Sequence, residues 1–391
     1  MSRPLRITIV CGFFLPVPPV QGGSTEKSWY QLARRFAARG HAVTIVSRRW
    51  PGWAHEETVD GIRHLRLRGS DHSPRLARNL LRDFLWSWRV FLALPAADIA
   101  VVNAVALPAW LGFLRPAAGR VVLLCGRMPK GQYRHYRRIS RVLVPSRPVL
   151  DRLLAENPAL APVCRISGYP LDEQVLRRTT PVTREVLTIG FVGRLHREKG
   201  LGLLAAALPL VAATPGLPRW RVLVCGPDDI ARGGSGPEFR AELERAFLAC
   251  LPAESVSFLA PQFGDAALAQ VYQSIDIFCY PSLAEEGETF GVAVTEAMAA
   301  GAVPVVSALA CFTDVLRDGA NGLVFDHRAA DAPARLAAAF VQLLRDPARR
   351  QELAAAALAT VHRYDYGVYA DWLLADFEQL TAPAPLPPSL P

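Results

Sequence analysis

Residues 5–47 decide the fold, and they read LRITIVCGFFLPVPPVQGGSTEKSWYQLARRFAARGHAVTIVS. The run Leu5–Phe13 is apolar, rich in β-branched residues and not alternating, which is typical of a strand buried on both faces. Apolar residues at helical spacing follow over Ser24–Arg39, Gly40 ends that helix, and Ala42–Ser47 is a second buried strand. A strand, a helix and a strand in succession form a βαβ unit, which predicts a parallel sheet.

The strand pattern recurs along the chain and restarts once. It is interrupted over residues 168–184, a stretch that contains two prolines and several charges. Because buried-strand patterns flank this stretch, we predict two successive Rossmann-like, doubly wound parallel-sheet domains at residues 1–170 and 185–365. The further strand patterns are Ile99–Asn103, Arg120–Cys125, Arg141–Pro145, Leu187–Val192, Trp220–Cys225, Val256–Leu259, Ile275–Tyr280 and Val303–Val306.

The end of the chain differs from both domains. Residues 366–380 have helical spacing and carry four aromatic side chains. These are too many for a free surface helix, so we expect the helix to pack on a domain. In residues 381–391 proline alternates with alanine and leucine, which predicts a disordered tail.

Composition narrows the class of protein. At 391 residues and 51% hydrophobic content, the chain has apolar material for two cores and is not a disordered protein. The apolar run Ile7–Phe14 is short and has no cleavage site after it, and no run approaches the ~20 apolar residues of a membrane span. Seven dispersed cysteines form no C-x-x-C pair, which predicts no zinc site and no disulfide framework. We expect a cytoplasmic protein, peripheral at most to the inner face of the cytoplasmic membrane.

The charge is divided unevenly along the sequence. Residues 1–178 carry 28 Lys and Arg against 11 Asp and Glu, whereas residues 179–391 carry 16 against 24. A basic N-terminal half suits an anionic acceptor, an anionic membrane surface or nucleic acid. Arginine outnumbers lysine 41 to 3, so a bias of genome composition is the alternative explanation.

Two glycines bracket Arg194 and Lys199 directly after the strand pattern Leu187–Val192. The loop GRLHREKG, residues 193–200, places Arg194 and Lys199 at the carboxyl end of a strand, where open parallel sheets bind ligands. Arginine is a forked donor and lysine a point charge, a combination that suits a diphosphate. A solvated basic loop is the alternative.

A second motif, PSLAEEGETFGVAVTEAM over residues 281–298, follows the strand pattern that ends at Tyr280. A Gly-containing turn and the start of a helix separate Glu288 from Glu296, so backbone N–H groups there can hold a phosphate. Glu296 interrupts an apolar run, and we expect it to be partly buried and hydrogen-bonded to sugar hydroxyls. A capping glutamate and a surface glutamate are the alternative.

The motifs FVGRLHREKG (191–200) and ETFGVAVTEAMAAG (288–301) resemble the donor-site motifs of the retaining GT-B glycosyltransferases of family four. The resemblance spans nearly the whole chain, from a Gly22–Gly23 loop to the closing helix. It implies the GT-B architecture, in which two Rossmann-like domains face a cleft and a helix, here residues 366–380, crosses back to the N-terminal domain.

The resemblance also implies roles for individual residues. As catalytic residues, Arg194 and Lys199 would neutralise the donor diphosphate and Glu288 would contact the transferred sugar. Glu296 would hold the ribose hydroxyls. The other implied donor-binding residues are Gly23, Gly193, Gly226, Leu259, Thr289, Phe290, Gly291 and Val292.

Members of this family keep the anomeric configuration, and the leaving phosphate is thought to help deprotonate the acceptor. They need no divalent metal, since cationic side chains and helix dipoles balance the charge, so we expect neither a cofactor nor a metal ion. Asp228 and Asp229 lie in a different loop and form no D-x-D-like pair beside the donor motifs.

The acceptor side departs from the family pattern. Many members place a histidine after the strand that corresponds to Val121–Leu124, where this chain has Cys125-Gly126-Arg127. Either Arg127 substitutes electrostatically or the acceptor geometry differs. We predict Gly22, Arg127 and Lys130 on the acceptor side, where a basic group suits a phosphorylated acceptor or is merely solvated.

Residues 75–94, RLARNLLRDFLWSWRVFLAL, mix four arginines with four aromatic side chains. A basic helix that bears tryptophan suits the surface of an anionic membrane. A surface helix packed on the core is the alternative.

The sequence therefore predicts a retaining hexosyltransferase that uses a UDP- or GDP-sugar. The expected acceptor is a hydroxyl of a saccharide or glycolipid, such as a precursor of a cell-envelope polysaccharide or lipopolysaccharide. Another GT-B enzyme, such as a sugar epimerase or phosphorylase, would lack this paired motif set. A non-catalytic anion- or nucleic-acid-binding protein is the third hypothesis, but no RNA-binding or helix-turn-helix signature supports nucleic acid as a partner.

Overall fold

The computed structural model describes residues 3–20, 23–178, 184–262 and 264–382. Gly22 and the last nine residues of the tail, 383–391, lie outside the described residues. The chain divides into two compact units. The N-terminal unit runs to Pro170 and includes the chain from Tyr366 onward, and the C-terminal unit is Leu171–Asp365.

The N-terminal unit is built on an eight-stranded sheet in the order β3-β4-β2-β1-β5-β6-β7-β8. Every neighbouring pair is parallel except β3 and β4, which form an antiparallel hairpin at one edge. The order reverses between β1 and β5, and ligands bind at such points in open α/β sheets. The strands are β1 (Arg6–Val10), β2 (Ala42–Arg48), β3 (Glu56–Val59), β4 (Ile62–Leu67), β5 (Ile99–Val102), β6 (Arg120–Leu124), β7 (Arg141–Val144) and β8 (Cys164–Ile166).

The C-terminal unit is built on a six-stranded parallel sheet in the order β11-β10-β9-β12-β13-β14. This is the order of a Rossmann domain, and it reverses between β9 and β12. All six residues of β9 are buried, as expected for a central strand covered on both faces. The strands are β9 (Leu187–Val192), β10 (Trp220–Cys225), β11 (Val256–Leu259), β12 (Ile277–Tyr280), β13 (Val303–Ser307) and β14 (Leu323–Phe325).

Helices connect most of these strands. They are α1 (Ser24–Ala38), α2 (Leu76–Ala93), α3 (Leu111–Leu114), α4 (Arg147–Glu156), α5 (Glu173–Leu176), α6 (Leu201–Ala212), α7 (Pro237–Leu248), α8 (Asp265–Gln273), α9 (Val292–Ala299), α10 (Ala332–Arg345), α11 (Pro347–Val361) and α12 (Tyr366–Thr381). Within the described residues, none of these helices has both the length and the apolar composition needed to cross a bilayer.

The closing helix α12 packs within the N-terminal unit, although it follows the C-terminal unit in sequence. Its Phe377 ring meets the Phe36 ring of α1 edge to face, 6.1 Å between centroids. The Asp376 carboxylate accepts two hydrogen bonds, at 2.6 and 2.7 Å, from the buried guanidinium of Arg141. An apolar contact and a buried bidentate ion pair therefore attach the end of the chain to the first sheet.

The C-terminal unit starts earlier than the predicted residue 185, because the segment before β9 is bonded to it. Arg178 donates to the Ile275 carbonyl at 2.5 Å, and Arg184 donates to the Gln273 carbonyl at 2.6 Å. The C-terminal unit thus includes the described residues of this polar stretch from Leu171 onward.

The hairpin of β3 and β4 and the short strands β8 and β14 were not predicted. β4 reads IRHLRL, and its charged residues hid the strand. Its Arg66 is only 1% exposed, and it forms an ion pair with Glu57 at 2.5 Å and lies over the Trp53 ring. Local pairing therefore lets a charged sequence occupy a buried strand.

His64, two residues before Arg66 on β4, is fully buried, and neither ring nitrogen has a hydrogen-bond partner among the described residues. Burial, helped by the charge of Arg66, lowers the pKa of His64 from 6.5 to about 4. The folded unit therefore keeps the neutral imidazole over a pH range in which the unfolded chain binds a proton. Stability from this group is complete above pH 6.5 and falls as the pH drops toward 4.

We expect the free energy of unfolding of the N-terminal unit to fall by about 2 kcal/mol between pH 6.5 and pH 5 because of His64. The His64→Leu variant should lose most of this pH dependence. Urea unfolding followed by tryptophan fluorescence measures it, because seven of the eight tryptophans lie in this unit. The His135→Gln variant, at an exposed position, is the control. An unchanged slope in His64→Leu would contradict the prediction.

Candidate active site

The strands β9 and β12 pair at only two positions, and this places two loops side by side. The pairs are Ile277 with Ile189 and Phe278 with Gly190. Beyond them, the rings of Phe191 and Tyr280 stack at 5.8 Å. The chain leaves both strands at the same edge of the sheet, where the strand order reverses. The loops 193–200 and 281–291 therefore start as neighbours.

Close backbone contacts between loops require two of the glycines. A Cβ on Gly226 would lie 1.8 Å from the carbonyl oxygen of Gly193, so the ends of β9 and β10 could not approach as they do. A Cβ on Gly200 would lie 1.8 Å from the carbonyl oxygen of Pro281. These glycines hold the loop that bears the two cations against its neighbours on both sides.

Lys199 and Glu288, 89 positions apart in sequence, form a buried ion pair. The Lys199 ammonium donates to Glu288 Oε2 at 2.7 Å, and their side chains are 8% and 11% exposed. The Tyr280 hydroxyl donates to the same oxygen at 3.0 Å, and Ser282 Oγ lies 3.4 Å from it. An ammonium and a phenol hydroxyl thus hold one oxygen of the Glu288 carboxylate, and Ser282 Oγ shares its proton between this oxygen and the Glu198 carbonyl, also at 3.4 Å.

The charge of Arg194 also acts on Tyr280. Burial and the Glu288 carboxylate raise the pKa of the Tyr280 hydroxyl well above its usual value, and the Arg194 charge opposes this increase. The Arg194 guanidinium is 42% exposed, and it donates to Glu198 at 2.8 Å and to the Gly233 carbonyl at 2.7 Å. The structure therefore brings the two predicted cations to one edge, each with a carboxylate partner.

Glu296 lies on α9 and is half-buried, as its place in an apolar run predicted. The Tyr272 hydroxyl donates to Glu296 Oε2 at 2.8 Å. Burial and this carboxylate raise the pKa of the Tyr272 hydroxyl well above its usual value, so the hydroxyl stays protonated as a donor. The rings of Tyr272, Phe278 and Tyr280 lie next to one another in turn, at 5.9 and 6.0 Å.

The helix α9 begins directly after the Glu288 loop. Gly291, in the left-handed conformation, precedes it, and its carbonyl accepts the N–H of Val294 at 2.9 Å. The N–H groups of Val292 and the next residue are therefore not used within the helix. Phe290 is 1% exposed and packs edge to face on Tyr364. This anchor and the helix dipole make the turn a suitable place for an anionic group.

The remaining predicted donor residues lie in two places. In the C-terminal unit, Thr289 is half-buried beside Glu288, and Leu259 ends β11 with its side chain 37% exposed. Gly23 lies in the N-terminal unit, directly before α1.

Asp229 caps a turn by accepting the N–H of Arg232. Within the described part of the chain, His, Cys, Asp and Glu form no group of three that could hold a metal ion.

The N-terminal unit contains a cavity of about 520 Å³ at the carboxyl ends of β1, β5 and β6. Arg127 is exposed and lines this cavity, whereas Lys130 is exposed but does not line it. Cys125 is buried, and its thiol lies 3.3 Å from the Arg127 carbonyl. Of the residues that replace the family histidine, Arg127 is therefore the one whose side chain can meet a ligand.

Sequence reasoning missed Tyr280, Ser282 and Tyr272, the hydroxyl partners of the two glutamates. Tyr280 could have been found, because it is the last residue of a buried strand that runs directly into the motif. Tyr272 lies on α8 and carries no motif signal of its own. Its position opposite Glu296 depends on how two helices pack.

The two units, each with a parallel sheet flanked by helices, and the helix that returns to the first unit define the GT-B class of glycosyltransferase folds. Residues 172–359 match the sequence profile of the family Glycosyl transferases group 1. This match covers just under half of the chain, and together with the relatives described next it indicates a glycosyltransferase.

Two curated relatives are similar to this chain. Phosphatidyl-myo-inositol mannosyltransferase of Mycobacterium tuberculosis (strain ATCC 25618 / H37Rv) is 28% identical, over 96% of this chain and 97% of the relative. D-inositol 3-phosphate glycosyltransferase of Stackebrandtia nassauensis is 34% identical over 230 residues, which cover 58% of this chain and 48% of the relative.

Solved structures share the fold. Sucrose-phosphate synthase from Thermosynechococcus elongatus has a TM-score of 0.72 at 20% identity, over 97% of this chain and 99% of that chain. HepE from Anabaena, in complex with UDP and glucose, has a TM-score of 0.68 at 16% identity, over 96% of this chain and 100% of that chain. At such identities the likeness supports the fold alone.

We expect the Lys199→Met variant to lose about 3 kcal/mol of stability, because Glu288 is left as a buried charge without its ammonium partner. The double variant Lys199→Met/Glu288→Gln should recover more than half of this loss. Calorimetric unfolding of the C-terminal unit measures both. Lys130→Met, at an exposed lysine of the other unit, is the control. A double variant no more stable than the single one would refute the pairing.

Proposed function

We propose that this glycosyltransferase moves a sugar from a nucleotide-diphosphate-sugar to a hydroxyl of a phosphorylated polyol acceptor, with retention of anomeric configuration. The observation that carries the proposal is the meeting of Lys199, Glu288 and the start of α9 at the point where the sheet order reverses. A cation, a carboxylate and free backbone N–H groups are the donor and acceptor set that a sugar diphosphate requires.

The charges at this edge suit the leaving group. Lys199 and Arg194 are each held in place by a carboxylate partner. A bound diphosphate would bond these cations beside the carboxylates or in their place. Because Tyr280 and Ser282 also bond Glu288, the carboxylate keeps partners when the ammonium turns to a phosphate. Once they bond the bound diphosphate, these cations stabilise the charge that develops on the leaving phosphate without further reorganisation.

The two glutamates take different roles in this proposal. Glu288 accepts hydrogen bonds from hydroxyls of the transferred sugar, and Glu296 accepts them from the ribose of the nucleotide. Glu288 is already bonded by an ammonium and a phenol, which makes it a poor nucleophile. This supports front-face attack, in which the leaving phosphate helps to deprotonate the acceptor hydroxyl.

We further propose that the reaction needs no divalent metal. Two side-chain cations and the N-terminal dipole of α9 supply the positive charge that a metal ion supplies elsewhere. The two curated relatives are named for inositol acceptors that bear phosphate, which supports a phosphorylated polyol as acceptor. The excess of basic residues in the N-terminal half fits an anionic acceptor.

The outer face of α2 supports a peripheral location on an anionic membrane. Trp86 and Val90 face the core and are buried. The opposite side is apolar, with Leu80 and Phe84 each 50% exposed and Trp88 49% exposed. Arginines of the same helix flank this face, and soluble monomers seldom expose so many large apolar side chains together. A phospholipid acceptor would be met at such a surface.

The proposal is tested by mixing the enzyme with UDP- and GDP-sugars and phosphatidylinositol vesicles in excess EDTA. We expect transfer with at least one donor. The Glu296→Ala variant should bind the matching nucleoside diphosphate about tenfold more weakly, since hydrogen bonds to charged groups contribute about 1.5–3 kcal/mol. Glu286→Ala, at an exposed position of the same motif, is the control in calorimetry. Unchanged affinity in Glu296→Ala would refute the ribose role, and salt-sensitive DNA binding without transfer would refute the function.

For the membrane surface, we expect the triple variant Leu80→Ser/Phe84→Ser/Trp88→Ser to bind anionic vesicles at least tenfold more weakly, because three apolar side chains no longer enter the interface. Flotation with phosphatidylglycerol vesicles measures this. Leu248→Ser, a half-exposed leucine of α7 in the other unit, should bind like the wild type. A wild-type protein that does not float with these vesicles would rule the surface out.

A further inference from the structure

The polar groups that line the cavity of the N-terminal unit are mostly engaged by the protein itself. The Asp83 carboxylate accepts backbone N–H groups at 3.2 and 2.7 Å. The Asn103 amide accepts from the Trp29 indole and donates to a backbone carbonyl. Tyr136 and Tyr169 each donate to a backbone carbonyl. These groups shape the cavity and have little capacity left for a ligand.

The buried carboxyl of Glu26 differs from these groups. Glu26 is the third residue of α1, lines the cavity and is 4% exposed. Its carboxylate accepts a hydrogen bond from its own backbone N–H, and it is paired with no side chain of residues 3–20, 23–178, 184–262 and 264–382. Burial raises the pKa of this carboxyl, and the Arg127 charge opposes the increase. A buried carboxylate in this state has room for further hydrogen-bond donors.

Contacts within this unit explain why position 23 is a glycine, independently of the donor motif. Gly23 has φ +100, and a Cβ there would lie 2.4 Å from Glu26 Oε2 and 2.5 Å from the Leu15 side chain. Any larger residue would push the Glu26 carboxylate away from its position. Gly23 therefore makes space for Glu26 over the first turn of α1.

The cavity thus has a carboxylate inside and a guanidinium that is exposed to solvent. Arg127 lines the same cavity, and its charge acts on Glu26 without an ion-pair contact. An anionic group placed at Glu26 would be repelled, whereas a hydroxyl placed there would donate a hydrogen bond to it. The same anionic group would be favoured beside Arg127.

We propose that Glu26 is an acceptor-binding residue, which accepts a hydrogen bond from a ring hydroxyl of the polyol acceptor while the acceptor phosphate lies toward Arg127. The inference rests on the proposed function and adds the residues that read the acceptor. It makes Glu26 a determinant of specificity for polyols over ligands that present a second anion at that position.

The test compares the wild type with Glu26→Gln, using myo-inositol 1-phosphate and phosphatidylinositol vesicles as separate acceptors. The variant should lower kcat/KM for the acceptor at least tenfold and leave the donor KM within twofold. In the wild type, kcat/KM should fall as the pH drops and protonates the carboxyl, and Glu26→Gln should lack this acid limb. The acceptor that shows these effects tells whether the polyol is free or part of a lipid.

Asp83→Asn is the matched control, since Asp83 is also a buried carboxyl with a raised pKa in this cavity. Its bonds are to backbone, so the variant should lower the thermal midpoint and keep the acid limb. Arg127→Gln, at an exposed position, adds a test that does not depend on Glu26→Gln folding. It should weaken the binding of myo-inositol 1-phosphate at least fivefold and leave that of myo-inositol unchanged.

Calorimetry with myo-inositol 1-phosphate separates this inference from the proposed function. Suppose that the wild type transfers no sugar but that Glu26→Gln binds myo-inositol 1-phosphate at least tenfold more weakly than the wild type does. This result would support the role of Glu26 and reject the proposed reaction. Transfer that proceeds in Glu26→Gln with the wild-type kcat/KM and acid limb would overturn the role and keep the reaction.

Discussion

The short pairing between β9 and β12 is the constraint on which the active site depends. Two registered pairs join these strands, and the chain then leaves them in loops that start side by side. Parallel strands need crossover connections, and those of this sheet run in opposite directions on either side of the reversal. Residues near positions 194–199 and 281–296 therefore meet although about ninety positions separate them. The close approach of Gly200 to the loop after β12 depends on the same geometry.

The electrostatics of the site follow from that geometry. A lysine and a glutamate that are both nearly buried would each be costly alone, and each makes the other tolerable. The hydroxyls of Tyr280 and Ser282 complete the set around one carboxylate oxygen. Such a pair lends little net stability, but it keeps an ammonium in a defined place beside the first turn of α9. In the proposed function, this pair serves the sugar diphosphate rather than the stability of the fold.

The N-terminal unit has a similar architecture but a different set of polar groups at its strand ends. Its strand order also reverses, between β1 and β5, and its cavity lies at the corresponding end of the sheet. There the first helix contributes the carboxylate of Glu26 where a phosphate-binding Rossmann domain would hold an anion. The excess of basic residues in this half lies largely on its surface, including the flanks of α2. In the proposed function, one unit thus holds the sugar diphosphate and the other presents both Glu26 and Arg127 to a phosphorylated polyol.

By itself, the sequence determined the class of fold and the elements that carry the site. Non-alternating strands such as LTIGFV and WRVLVC were predicted to the residue, because strands buried on both faces leave an unambiguous apolar run. It missed the hairpin of β3 and β4, where pairing with Glu57 and Trp53 lets Arg66 be buried. The sequence also identified Lys199 and Glu288 as candidate site residues. Only the tertiary structure decided that they bond each other, that Tyr272 faces Glu296, and that Glu26 lines a cavity, because these contacts join residues whose separation in sequence carries no local signal.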